Sequence, residues 1–118
     1  MNDPFHVMTK PTGAACNLAC EYCYYLEKSD LYPKSGPASM DDATLERFIS
    51  DYIDSQPTTE VQFAWQGGEP TLLGIGFFQK VIRLQEKHRG PKSVTNALQT
   101  NGTLLNPDWG HFLREHNF

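Results

Sequence analysis

A chain of 118 residues, 39% of them hydrophobic, has the material for one core of ordinary domain size. A net charge of −4 and the lack of a basic stripe argue against a nucleic-acid surface, and no run is long or apolar enough to span a bilayer. The opening Met1-Asn2-Asp3-Pro4 lacks the basic and apolar regions of a signal peptide, so a cytoplasmic location is expected, where thiols stay reduced.

Along the chain, strand and helix patterns alternate. Phe5 to Lys10 reads as a first strand, followed by a Gly-Ala-Ala turn and a loop that holds all three cysteines, Cys16, Cys20 and Cys23. Leu31 to Ala38 carries two prolines and a glycine and reads as loop. Ser39 is the expected N-cap of a first helix, with Asp42 three residues on. Leu45, Phe48, Ile49, Tyr52 and Ile53 repeat at helical spacing up to the stop at Pro57. Val61 to Gln66 alternates large apolar residues with Gln, Ala and Gln, which predicts a strand with one face under helices and one facing elsewhere.

Gly67-Gly68-Glu69-Pro70 stops that strand. Phe77, Phe78, Val81, Ile82 and Leu84 mark a second helix ending near Gly90-Pro91, where Lys87-His88-Arg89 forms its polar end. Val94 to Gln99 is a third strand, stopped by Thr100-Asn101-Gly102. Asn106-Pro107 caps a third helix whose buried side is Trp109, Phe112 and Leu113. Short connections between such units imply neighbouring parallel strands with right-handed crossovers. The cysteine loop, the Gly-Gly-Glu-Pro turn and the Thr-Asn-Gly turn then all fall at the C-terminal edge of one sheet, where α/β folds place ligands.

An odd number of cysteines disfavours a disulfide framework. Three thiolates with three and then two residues between them can hold three irons of a cubane cluster and leave the fourth open for chemistry. A closed zinc site is the competing reading. It needs a fourth ligand, and His6 lies across a strand with no supporting Cys/His spacing. His88, His111 and His116 also lack metal-ligand spacing and read as surface or structural.

The Cys16-x-x-x-Cys20-x-x-Cys23 run, with Tyr22 before the last cysteine, resembles the signature of radical S-adenosylmethionine (SAM) enzymes, and Gly67-Gly68-Glu69-Pro70 after strand 2 extends the resemblance. Phe63 to Leu72 and Gln99 to Leu105 resemble the anaerobic sulfatase-maturating enzymes of that superfamily. The resemblance implies an α/β fold in which these three βα units begin a partial (βα)6 TIM-like barrel on a parallel sheet. It implies a [4Fe–4S] cluster on the three cysteines whose open iron binds SAM. In such enzymes the reduced cluster cleaves SAM, and a 5′-deoxyadenosyl radical takes hydrogen from the β-carbon of a sulfatase cysteine or serine, leading to Cα-formylglycine.

The same resemblance places Gly67, Gly68, Glu69 and Pro70 at the cofactor, with Glu69 suited to the amino group of the methionine moiety, and Tyr22 by the adenine. Gln66, on the polar face of strand 2, has two readings: a hydrogen bond to substrate peptide or cofactor, or a strand end satisfied locally. Tyr25 either reaches the substrate or packs its loop. Gln99 and Asn101 either line the cavity near methionine and ribose or, for Asn101, shape the turn before Gly102. Expected partners are a sulfatase polypeptide and a reduced ferredoxin- or flavodoxin-type electron donor, with no nucleic acid and no membrane. A later cysteine-rich region with further clusters, a later acidic proton acceptor and the remaining barrel strands are implied by the family and absent here. Residues 1–118 are thus expected to be the N-terminal part of an incomplete radical SAM core domain, inactive alone. The alternatives are a maturase forming thioether crosslinks in another peptide, or a non-catalytic zinc or electron-transfer module.

Overall fold

The structure, a computed structural model, describes residues 3–13 and 40–118. Three parallel strands lie in the order β1 (Met8–Thr9), β2 (Glu60–Trp65) and β3 (Ser93–Leu98). Helices α1 (Asp42–Ser55), α2 (Gly74–His88) and α3 (Pro107–Glu115) follow them in turn, as the alternating pattern predicts. Met8 pairs with Ala64, and Ala64 with Ala97, so side chains across the sheet stand in rows.

The period of two in β2 divides the sheet into two unlike faces. Val61, Phe63 and Trp65 are buried, while Gln62 is exposed and Ala64 only partly covered. On the buried side, Leu45, Ile49, Tyr52 and Ile53 of α1 and Phe78 and Val81 of α2 complete the core with Trp109 and Phe112 of α3. Much of this core is aromatic and packs edge to face. Phe48 meets Phe63 at 5.7 Å, Tyr52 meets Phe63 at 4.9 Å, and Trp65 meets Phe78 at 5.9 Å.

One amide sits within that apolar layer. Asn96 of β3 accepts from Trp65 Nε1 (3.0 Å) and Gln85 Nε2 (2.8 Å), and its Nδ2 donates to Gln85 Oε1 (2.9 Å). All three residues are buried, and their hydrogen bonds join β2, β3 and α2.

Three sequence expectations shift. The cap of α1 is Asp41 rather than Ser39: its carboxylate accepts from the Thr44 amide at 2.7 Å, two positions nearer the first buried leucine. Ser39 itself lies outside the described residues. Strand β1 covers Met8–Thr9 rather than Phe5 to Lys10, and the Tyr52 hydroxyl is the reason. It donates to Gln62 O at 2.9 Å and accepts from Val7 N at 3.4 Å, standing where a direct ladder bond between Val7 and Gln62 would run. Phe5 N likewise donates to Gln56 Oε1 of the α1 C-cap, not to β2. Strands β2 and β3 each begin and end one residue earlier than predicted. Asn106 caps α3 as expected, accepting from Trp109 N at 3.0 Å.

Candidate functional site

The three motifs meet at the C-terminal edge of the sheet. Strand β1 ends in a turn where Gly13 N donates to Lys10 O at 3.0 Å, and the chain returns at Met40, whose N donates to Pro11 O at 2.9 Å. The segment with the cysteines therefore leaves from and comes back to this edge. Cys16, Cys20, Cys23, Tyr22 and Tyr25 lie outside the described residues, and only the roots of their loop are placed.

Against those roots lies the turn after β2. Gly67 takes φ +79° and Gly68 φ +28°, a conformation that side chains disfavour. At Gly67 close approach adds to this. A Cβ there would lie 2.5 Å from Lys10 Cγ, 2.7 Å from Lys10 Cβ and 2.9 Å from Gly13 O. The glycine is what lets the turn after β2 press on the root of the cysteine segment. Pro70 then opens a short 3-10 helix, Pro70–Leu73, that leads into α2.

Glu69 is fully buried at this edge. Its Oε2 accepts from the Thr71 amide at 2.9 Å and from the Thr71 hydroxyl. Its Oε1 accepts from the Asn101 amide at 2.7 Å, and the Thr100 hydroxyl reaches both oxygens at 2.9 and 2.7 Å. Burial pushes the carboxyl up, but the hydrogen bonds from Thr71, Asn101 and Thr100 together hold it below the ordinary glutamate range. It stays ionised, held by neutral donors, and no salt bridge reaches it from the described residues. A ligand's amino group, the expected partner of Glu69, would meet a carboxylate with no exposed surface and with its acceptor positions already in use.

The other expected residues are placed as follows. Gln66 is half-buried just past β2, its amide held to β1 by Gln66 N donating to Thr9 O (2.8 Å), and its Nε2 lies 3.1 Å from Met8 Sδ. Gln99 N donates to Trp65 O at 2.9 Å, and its side chain is exposed. Gln66 and Gln99 thus extend the two ladders by one step at the same edge. Asn101 is exposed, and its Oδ1 accepts from Thr103 N (3.0 Å) and Thr103 Oγ1 (2.8 Å), so the residue shapes its own turn. The structure brings Gly67, Gly68, Glu69, Pro70, Gln66, Gln99 and Asn101 to one edge. Thr71 and Thr100 were not anticipated; Thr71 lies two residues from Glu69, but Thr100 is 31 positions away and carries no local signal.

Among the described residues no group of three or more His, Cys, Asp or Glu is placed to hold a metal, and no helix is long and apolar enough to cross a membrane. His6 is exposed, His88 lies 3.0 Å from Glu46, and His116 packs on Phe112.

Comparison with known proteins bears on this edge directly. The profile of the radical SAM superfamily matches residues 11–118. A serine-type anaerobic sulfatase-maturating enzyme of Bacteroides thetaiotaomicron is 49% identical over 115 residues, covering 98% of this chain and 28% of that protein. A cysteine-type anaerobic sulfatase-maturating enzyme of Clostridium perfringens is 40% identical over 116 residues, covering 98% of this chain and 31% of that protein. The solved structure of native anSMEcpe with bound AdoMet and Cp18Cys peptide superposes with a TM-score of 0.80 at 38% identity, over 96% of this chain and 29% of that one. The chain thus spans less than a third of the length of these relatives, and its three-stranded parallel sheet with helices is the α/β fold expected for part of a radical SAM barrel.

Proposed function

The chain belongs to the radical SAM superfamily, and from that premise we propose that residues 1–118 form the N-terminal part of the core domain of an anaerobic sulfatase-maturating enzyme. The observation that carries the reading is the meeting, at one sheet edge, of both roots of the cysteine segment with the turns after β2 and β3. The enzyme oxidises a cysteine or serine of a sulfatase polypeptide to Cα-formylglycine.

In this reading Cys16, Cys20 and Cys23 hold a [4Fe–4S] cluster that, when bound, supplies the electron for cleaving SAM so that hydrogen can be taken from the substrate β-carbon. The donor set at the edge suits that ligand. Gly68, only partly covered, leaves main chain near a ligand where a side chain would stand in the way, and Gly67 seats the turn against Lys10 and Gly13. Gln99 and Asn101 are the candidates at this edge for the methionine and ribose portions, and the family resemblance assigns Tyr22 to the adenine. Gln66 and Tyr25 are the candidates for contact with the peptide. Holding these groups in place before the substrate arrives is the protein's contribution to rate. A reduced ferredoxin- or flavodoxin-type protein supplies electrons in a cytoplasmic setting, without nucleic acid or membrane.

The test is anaerobic reconstitution of the protein that carries this chain, followed by incubation with SAM and a sulfatase-motif peptide. The expected results are the visible absorbance of a thiolate-bound cluster, 5′-deoxyadenosine, and the mass loss of formylglycine formation. Cys20→Ala should abolish all three. Undiminished 5′-deoxyadenosine from that variant would overturn the cluster assignment, and a thioether crosslink in a different peptide would redirect the substrate assignment.

A further inference from the structure

Glu69 presents a contradiction in charge. It is an ionised carboxylate with no exposed surface, at the edge where a ligand is expected, yet it faces away from solvent and into the protein. Its partners come from two loops far apart in sequence: the amide and hydroxyl of Thr71 on its own turn, and the hydroxyl of Thr100 and amide of Asn101 on the turn after β3. A carboxylate offers about four lone-pair positions, and these donors occupy them. An ammonium group arriving at the edge would find no acceptor left on this side chain.

We propose that Glu69 and Thr100 form a positioning clamp. The carboxylate fixes the turn after β3, and with it Asn101, against the Gly-Gly turn, and it acts on the cofactor only through that placement. The cofactor named here rests on the reading in the preceding subsection; the clamp itself does not. The Thr100 hydroxyl is the joint. It donates to Glu69 and accepts from Gly102 N at 3.1 Å, so one side chain ties the anion to the turn's next amide. Hydrogen bonds to a charged acceptor are about twice as strong as neutral ones, which suits a link that must hold two loops in register. Gly67 completes the arrangement on the other side, where its missing Cβ admits Lys10 and Gly13 at the root of the cysteine segment. The Gly-Gly-Glu-Pro turn is then the reference against which both neighbouring loops are set.

Thr100→Val keeps shape and removes the hydroxyl, and is the decisive variant. In the full protein without cofactor, hydrogen exchange should quicken at amides 100–103 relative to the unsubstituted protein. SAM affinity, by equilibrium dialysis on the reconstituted protein, should fall about tenfold, the scale of one lost hydrogen bond to a charged group. Glu69→Gln should show both effects. The double variant should be no worse than the more affected single one, and Thr100→Ser should restore both readouts while the cluster absorbance stays constant throughout. The proposal is overturned if Thr100→Val leaves exchange and affinity unchanged while Glu69→Gln loses SAM binding, since that is the pattern of direct contact. If the unsubstituted protein binds no SAM, the functional reading fails, and the exchange data still decide the clamp.

Discussion

Two buried polar groups, Asn96 behind the sheet and Glu69 at its edge, are both hydrogen-bonded within the protein, and they do opposite things. Asn96 is neutral, and its partners Trp65 and Gln85 are side chains inside the helix-covered core. Glu69 is charged, and its partners are two hydroxyls and two backbone amides on turns that border the open side of the sheet. A buried neutral amide locks the register of packed elements, whereas a buried anion among loop amides fixes where loops sit. The same fold thus uses one polar group for stability and one for geometry at the site.

The largest effect should come from emptying the rear layer. Trp65 is almost wholly buried, stacks on Phe63 at 5.9 Å and supplies the indole N–H to Asn96. Trp65→Ala should cost about 3–5 kcal/mol, read as a drop in urea midpoint. Asn96→Ala should cost less, about 1–3 kcal/mol, because it strands the Trp65 and Gln85 groups without opening a large cavity. For Asn96→Ala, exchange at amides 100–103 should stay as in the unsubstituted protein. Faster exchange confined to those amides would mean that the two polar groups are not independent.

The next effect separates the two groups by pH. The Glu69 carboxyl is depressed in the folded state, so the unfolded chain takes up a proton more readily as pH falls. Its stabilising contribution is whole above the ordinary value of 4.5 and is lost as pH drops from there through the folded value. Melting of the apo protein should therefore weaken more steeply below about pH 4.5 than melting of Glu69→Gln, which has nothing to titrate at that position. Asn96→Ala should keep the steep slope of the unsubstituted protein at a lower melting temperature. Parallel slopes for the unsubstituted protein and Glu69→Gln would remove the anion from the account.

How much of this was legible in the sequence follows from range. The three strands, the three helices and the gathering of motifs at one edge rest on periodicity and local punctuation, and Val61, Phe63 and Trp65 fall on the buried face as alternation predicts. The Asn96 network left a signal that went unused. Asn96 sits between Val94 and Leu98 on the inward parity of β3, and Gln85 follows Phe78 and Val81 on the buried stripe of α2. Polar residues at two core positions imply a partnered pair. The Glu69 clamp was legible only in part: the two turns were expected at one edge, but the pairing of Thr100 with Glu69 is set by the exact parallel register of β2 and β3. The short β1 was illegible for the same reason, since a tyrosine 45 residues away from Val7 enters the ladder.

The smallest effect marks what a buried anion gains over an exposed one. Glu46 on α1 is also held below its ordinary range, by the hydrogen bonds and charges of Lys87 and His88 on α2, at 2.7 and 3.0 Å. Its depression rests first on the Lys87 and His88 hydrogen bonds and then on the Lys87 charge, but Lys87 and Glu46 are open to solvent, where screening and side-chain entropy offset most of the attraction. Lys87→Ala should leave the urea midpoint unresolved from that of the unsubstituted protein, and its slight effect should vanish as salt is raised. Exchange at the Glu69 clamp should respond less to salt over the same range, because its donors are neutral and the carboxylate itself is buried. A clamp as salt-sensitive as the Glu46 pair would place Glu69 in contact with water, and its carboxylate would then be open to a ligand after all.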